Sequence, residues 1–163
     1  EIDYRNRRNG KLNTRLVHPY GFLFGHRNYL VAYHEHPKAN KVALFSLSNI
    51  EGVRLLDDYF IREPDFRLAD FAARSFGVYQ QDPYEVIWKF TPDAAKTAAE
   101  FEFHPTQEME TAEDGSLIVR FHAASDLEMA WHLYMWGDKV EVLAPDSLKE
   151  MVADYRPAWP ALP

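Results

Sequence analysis

Ile2 and Tyr4 alternate with charged neighbours, and Leu12, Thr14 and Leu16 alternate in the same way beyond Asn9-Gly10. A period of two marks a half-buried strand. Asn and Gly accept the positive φ angles of a type I′ turn. The opening therefore predicts a tight hairpin, with Arg5, Arg7 and Arg15 opposite in parity to the apolar residues and so on its polar face. The runs YGFLF, NYLVAYH, KVALFSL and IEGVRLL follow, separated by Gly25-His26-Arg27 and by the polar stretch 35–40. Five short strands at this spacing predict a small barrel, because closure removes exposed sheet edges.

The period then changes. Asp65 is placed to cap a short helix over about Arg67–Ser75, ended by Gly77, and 80–83 reads as a linker. Tyr84–Phe90 alternates as a strand. Thr91-Pro92 starts an Ala-rich helix running to about Phe101, with Thr91 as its N-cap and Pro92 at its first position. Strands near 105–111 and 116–122 flank the turn Glu113-Asp114-Gly115. Ser125 caps a helix carrying Leu127, Met129, Ala130, Leu133 and Tyr134; Lys139–Ala144 is a strand, and a last helix runs to about Tyr155. The order β-α-β-β-α-β is the split βαβ, or ferredoxin-like, pattern. The expected domains are 1–83 and 84–163. Trp131 and Trp136, at helical spacing, are expected in the second core, while the tail PAWPALP is expected to be extended and to dock through Trp159.

Composition narrows the function classes. A chain of 163 residues at 47% hydrophobic builds a real core. No run of about 18 apolar residues appears, so no membrane partner is expected. The absence of cysteine removes disulfides, thiolate metal sites and a Cys nucleophile, and fits a cytoplasmic location. Residues 1–83 carry 12 Lys and Arg against 10 Asp and Glu, whereas 84–163 carry 6 against 15. An anionic partner should therefore meet the first half. The first residue is not Met, and the chain opens as a strand, which leads us to expect an upstream part in the natural protein.

No GxSxG, HExxH, GxGxxG or P-loop occurs, so no catalytic residue and no cofactor is expected. His34-Glu35-His36 has one-face spacing for a metal, but it enters a polar loop without an obvious third ligand, and no metal is assigned. The histidines at 104, 122 and 132 match no catalytic spacing. The functional candidates are Arg5, Arg15, His18 and Arg27, with Tyr29 and Tyr33. Arg forks suit phosphate or carboxylate, and Tyr faces stack a ring. Solvated arginines and core tyrosines are the plainer reading of the same residues.

HRNYLVAY, with Asn28-Tyr29-Leu30 in the Trp-Tyr-Leu position, resembles the WYL domain of bacterial transcriptional regulators. RLVHPYGFLF, LFSLSNI and FRLADFAARSFGVY resemble the strands around that motif and the helix after them. MAWHLYMWGDKVEVLAPDSLKEMV resembles these regulators' C-terminal extension. The resemblance implies an α+β chain, with a small Sm-like (SH3-like) five-stranded β-barrel followed by a ferredoxin-like βαββαβ extension. It also implies a DNA-reading helix-turn-helix domain upstream, a homodimer, and an effector bound in the barrel groove. That effector is a small molecule or, alternatively, single-stranded nucleic acid. Ser46 and Asn49 stand where the family commonly places arginines, so they are added as candidates that would hydrogen-bond a smaller, less charged ligand.

Overall fold

The structure is a computed structural model and describes residues 1–25, 27–36 and 41–153. The centre of the Gly25-His26-Arg27 turn, most of the 35–40 loop, Tyr155 and the tail with Trp159 lie outside those residues. Packing divides the chain into two units, Glu1–Phe71 and Ala72 onward. The division precedes the linker at 80–83 because 74–79 attaches to the second unit. Phe76 N donates to the Ala124 carbonyl (3.0 Å) and Ala124 N to that of Arg74 (3.0 Å).

The first unit holds β1 (Ile2–Arg5), β2 (Leu12–Leu23), β3 (Tyr29–Glu35), β4 (Lys41–Ser46) and β5 (Ile50–Val53), then α1 (Leu68–Ala72). The sheet order is β4-β3-β2-β1-β5, antiparallel throughout. This sheet is open and corrects the expected closed barrel: β4 and β5 are its two edges. They follow one another through a single 3-10 turn, Leu47–Asn49, without pairing side by side. The stretches read as separate strands around Leu12–Leu16 and YGFLF are one long strand. Its first part pairs with β1 and its second with β3, with a bulge between Pro19 and Gly21. Proline has no N–H for the ladder, so a bulge is where a strand tolerates it.

The hairpin is also looser than expected. Arg5 pairs with Leu12, so residues 6–11 form the connection, and the two-residue type I′ turn is not made. Side chains hold this loop: Asn6 Oδ1 accepts from Arg8 N (2.8 Å) and Asn9 Oδ1 from Lys11 N (3.0 Å), while Gly10 takes φ +68°. Asn side chains that bond the backbone two residues on compete with the tight turn. As a result, Arg7 leaves the strand and its parity.

The first core is small, with Ile2, Leu30, Ala32 and Phe45 buried together. The opposite sheet face is covered by rings from 60–71. Phe60 stacks on His18 at 4.6 Å, and Phe66 lies 4.7 Å from Tyr20 and 5.7 Å from Phe71. α1 is shorter than the helix expected over 67–75, because Ser75 leaves to bridge Ala124.

The second unit runs β6 (Tyr84–Phe90), α2 (Pro92–Ala98), β7 (Glu108–Thr111), β8 (Leu117–Ala123), α3 (Asp126–Leu133), β9 (Val140–Ala144) and α4 (Asp146–Ala153). The element order is the one the periodicity predicts. The sheet order is β7-β8-β6-β9, again antiparallel. Its core is dense in rings: Trp88 lies 4.9 Å from Phe121 and 5.5 Å from both Phe76 and Phe103, and Phe90 lies 4.8 Å from Trp136.

Both expected caps work differently here. Thr91 precedes α2, but its hydroxyl donates to Asp93 and makes no bond to a backbone N–H. Ser125 sits at φ +88° and donates to Glu128 Oε2 (2.7 Å). The Glu128 carboxylate also accepts from the backbone N–H of Val78 (3.0 Å) and Tyr79 (3.2 Å). It occupies the space above Gly77, where an added Cβ would come within 2.2 Å of it. Gly77 is thus fixed by this close approach and not by ending the helix.

Trp131 corrects another expectation. Trp136 is buried, but Trp131 is 54% exposed. Met129, Ala130 and Leu133 take the inward face of α3, which leaves position 131 on the outer one.

Candidate functional site

The arginines of the first unit fall into two groups. Arg5 is spoken for: its guanidinium pairs with Glu51 through Nε and through Nη2 (2.8 Å to Oε2), and Nη1 donates to the Gly10 carbonyl (2.8 Å). The pairing raises the Arg5 pKa, through the hydrogen bond and the charge of Glu51, and the same hydrogen bond lowers that of Glu51. Arg15 lies over the Tyr4 ring at 5.0 Å and the Phe45 ring at 5.7 Å, a cation–π packing role. Burial, first, and then the charges of Arg15 and His36 lower the His34 pKa.

Arg7 and Arg27 behave differently. Both line a cleft of about 360 Å³ together with Asn28, Ser46, Leu47 and Ser48. Neither makes an ion pair among the described residues. The local backbone explains the assembly. Leu47 N donates to the Asn28 carbonyl (2.9 Å), which brings the end of β4 to the start of β3. Tyr29 pairs with Ser46 in the ladder. The Ser46 and Ser48 hydroxyls lie 3.0 Å apart, so one donates to the other and each keeps further bonding capacity. Two guanidinium forks beside two hydroxyls suit an oxyanion such as carboxylate or phosphate.

Of the eight predicted residues, this cleft brings together Arg27 and Ser46. Asn49 sits one residue past it: its Oδ1 accepts weakly from Ser48 (3.5 Å), and its Nδ2 is enclosed without a partner among the described residues. His18, Tyr29, Tyr33 and Ser46 share one sheet face, since Tyr29 pairs with Ser46 and His18 with Tyr33. On that face Tyr29 is buried at 8% exposure. His18 is held between Phe60 and Tyr33, at 4.6 and 5.8 Å, with Nε2 3.3 Å from Glu35. These three rings are therefore packing for the sheet, and the Arg5 and Arg15 sites are occupied by Glu51 and by aromatic faces.

Sequence reasoning missed Arg7, Asn28 and Ser48 as site residues. Arg7 was hidden by the assumption of a tight turn, which kept it in strand parity. Asn28 was the motif position itself, and its polar side chain in place of a ring was the available signal. Ser48 carried no signal of its own, because its place follows from the 3-10 turn after β4.

The WYL domain matches residues 1–55, which include every residue of this cleft, and the WCX domain matches residues 82–155. The chain carries a WYL domain followed by a WCX domain. No curated protein matches it in sequence. Among solved structures, proteasome accessory factor B/C (PafBC) of Arthrobacter aurescens is similar over 93% of this chain, at 18% identity and a TM-score of 0.40. The chain spans 23% of that protein's length. The WYL match ends before the ring-bearing segment 60–71, so the cover over the buried sheet face lies between the two matched domains.

Proposed function

We propose that this WYL–WCX chain is the effector-sensing region of a bacterial transcriptional regulator, and that the cleft at Arg7 and Arg27 binds a small anionic effector. One observation carries the reading. These two arginines share a cleft with serine hydroxyls and meet no carboxylate among the described residues, whereas Arg5, Arg54 and Arg74 each do. A cation left without an internal partner at a concave surface is available to an external one. The strand order β4-β3-β2-β1-β5 supports an open, Sm-like first unit, and β7-β8-β6-β9 supports a ferredoxin-like second one. In this reading the regulator is a cytoplasmic homodimer that reads DNA through a helix-turn-helix domain. The effector acts by binding one arrangement of it better than another.

A second reading, single-stranded nucleic acid as the effector, is favoured by Phe22 and Phe24. Both rings are exposed, they lie 6.1 Å apart and nearly parallel, and they come just before the Arg27 turn. Exposed rings stack bases in single-strand binders whose arginines hold phosphates.

Labelled single-stranded DNA and RNA, inorganic phosphate and a set of small carboxylates would be titrated against the chain at two salt concentrations. The small-anion reading expects phosphate or a carboxylate to raise the melting temperature, with the effect lost in Arg27→Ala and kept in Arg5→Ala. Salt-sensitive DNA or RNA binding that needs both Arg27 and Phe24 would select the second reading. Equal effects of Arg5→Ala and Arg27→Ala would sink the cleft assignment.

A further inference from the structure

We propose that the outer face of α3 is a docking surface for a basic amphipathic helix of a partner protein. Leu127, Trp131 and Met135 are 45%, 54% and 42% exposed. They recur every fourth residue, so they form one row along α3 and the turn after it. The inward face is already filled by Met129, Ala130, Leu133 and the following Trp136. The outer row is therefore surplus to the core. An i, i+4, i+8 ridge of apolar side chains fits the groove of a second helix, and tryptophan is the residue most enriched among side chains that dominate binding energy.

Charge selects the occupant. Residues 124–138 contain Asp126, Glu128 and Asp138 and no Lys or Arg. Burial holds His132, the one histidine in that stretch, neutral. Elsewhere in the unit Lys89 and Lys139 are paired with Asp114 and Asp93, and Lys96, Arg120 and Lys149 make no ion pair among the described residues. Residues 84–163 carry 15 acidic against 6 basic side chains. A second copy placed on this row would bring acid against acid, which costs affinity and slows association. A helix with apolar anchors at the same spacing and Lys or Arg on its flanks satisfies both the row and its surroundings. The proposal is independent of the effector cleft, since α3 belongs to the second unit.

The test uses the whole chain and two fluorescently labelled synthetic amphipathic peptides of equal length, one of Leu and Lys and one of Leu and Glu, read by anisotropy. The Leu/Lys peptide should bind saturably and more weakly at higher salt, and the Leu/Glu peptide should not bind. Trp131→Ala and, separately, Leu127→Ser should each weaken binding, the former by about tenfold or more. Both positions are exposed, so the melting temperature should hold in each variant. Three results would overturn the proposal. One is equal binding of the two peptides, or none. Another is a dimer in sedimentation equilibrium that Trp131→Ala dissociates, which would make a second copy the occupant. The last is Trp131 emission shielded from acrylamide in the free monomer, which would mean that the chain covers the row itself.

Discussion

The two units use their aromatic residues in opposite ways. In the second, Trp88, Phe90, Phe103, Phe121 and Trp136 interlock in one core, with 18 buried residues among those described, and among the described residues few large rings besides Trp131 reach solvent. In the first, the core cluster has 4 buried residues, and most rings lie on the sheet surface or above it: His18 under Phe60, Tyr20 under Phe66, Phe22 and Phe24 in the open. Hydrophobic stabilisation scales with apolar area removed from water. The WCX unit should therefore be the stable platform, and the WYL unit the marginal one. A marginal unit with its arginines at the surface is suited to have its equilibrium shifted by a ligand, because a few kcal/mol of binding is then a large fraction of its stability.

The sharpest way to break this comparison is at Trp88, which is fully buried and touches the rings of Phe76, Phe103, Phe121 and His132, from four other segments. Trp88→Ala should cost about 3–5 kcal/mol. In urea unfolding followed by near-UV circular dichroism, the second unit should melt at much lower denaturant while the first keeps its midpoint. Loss of both transitions together would show that the units are not independent.

A pH titration sharpens the contrast with a somewhat smaller effect. His132 lies in the same core, stacked 6.0 Å from Trp88, and its Nε2 accepts from Trp136 Nε1 (3.3 Å). Burial pushes its pKa down from 6.5 to about 4. The unfolded chain therefore takes up a proton at a pH where the folded one does not. Stability is full above about 6.5 and falls as the pH drops toward 4, by up to about 3 kcal/mol. The thermal midpoint of the second unit should follow that window, and His132→Gln should flatten it. An unchanged profile in the variant would assign the acid sensitivity elsewhere, with His104, whose pKa burial also lowers, the next group to replace.

The smallest of these effects concerns the junction. Any side chain at 77 must displace the Glu128 carboxylate that ties Val78 and Tyr79 to α3. Gly77→Ala should cost about 1–3 kcal/mol, by crowding and by leaving donors poorly paired. Hydrogen exchange should quicken at Val78 and Tyr79 while the β6–β8 ladder stays protected. If the ladder loosened equally, the junction would belong to the core and not to its edge.

The sequence by itself determined the local elements. Alternation marked β1, the start of β2 and β6, and Pro92 marked the start of α2, because strand and helix periods depend only on neighbours along the chain. The charge difference between the halves and the WYL likeness were also readable there. The tertiary structure alone decided three things. It left the first sheet open, because β5 pairs with β1 (Ile2 with Val53), far away in sequence, and not with its neighbour β4, a choice that no alternation encodes. It turned Arg5 and Arg15 toward Glu51 and toward the Tyr4 and Phe45 rings, while the six-residue loop that replaced the expected tight turn carried Arg7 out of strand parity to join Arg27. It also chose which face of α3 met the sheet, so that Trp136 was buried and Trp131 was not. In each case the deciding partner is distant in sequence. Residue type and spacing show what a side chain is able to do, and only the packed chain shows which partner has already taken it.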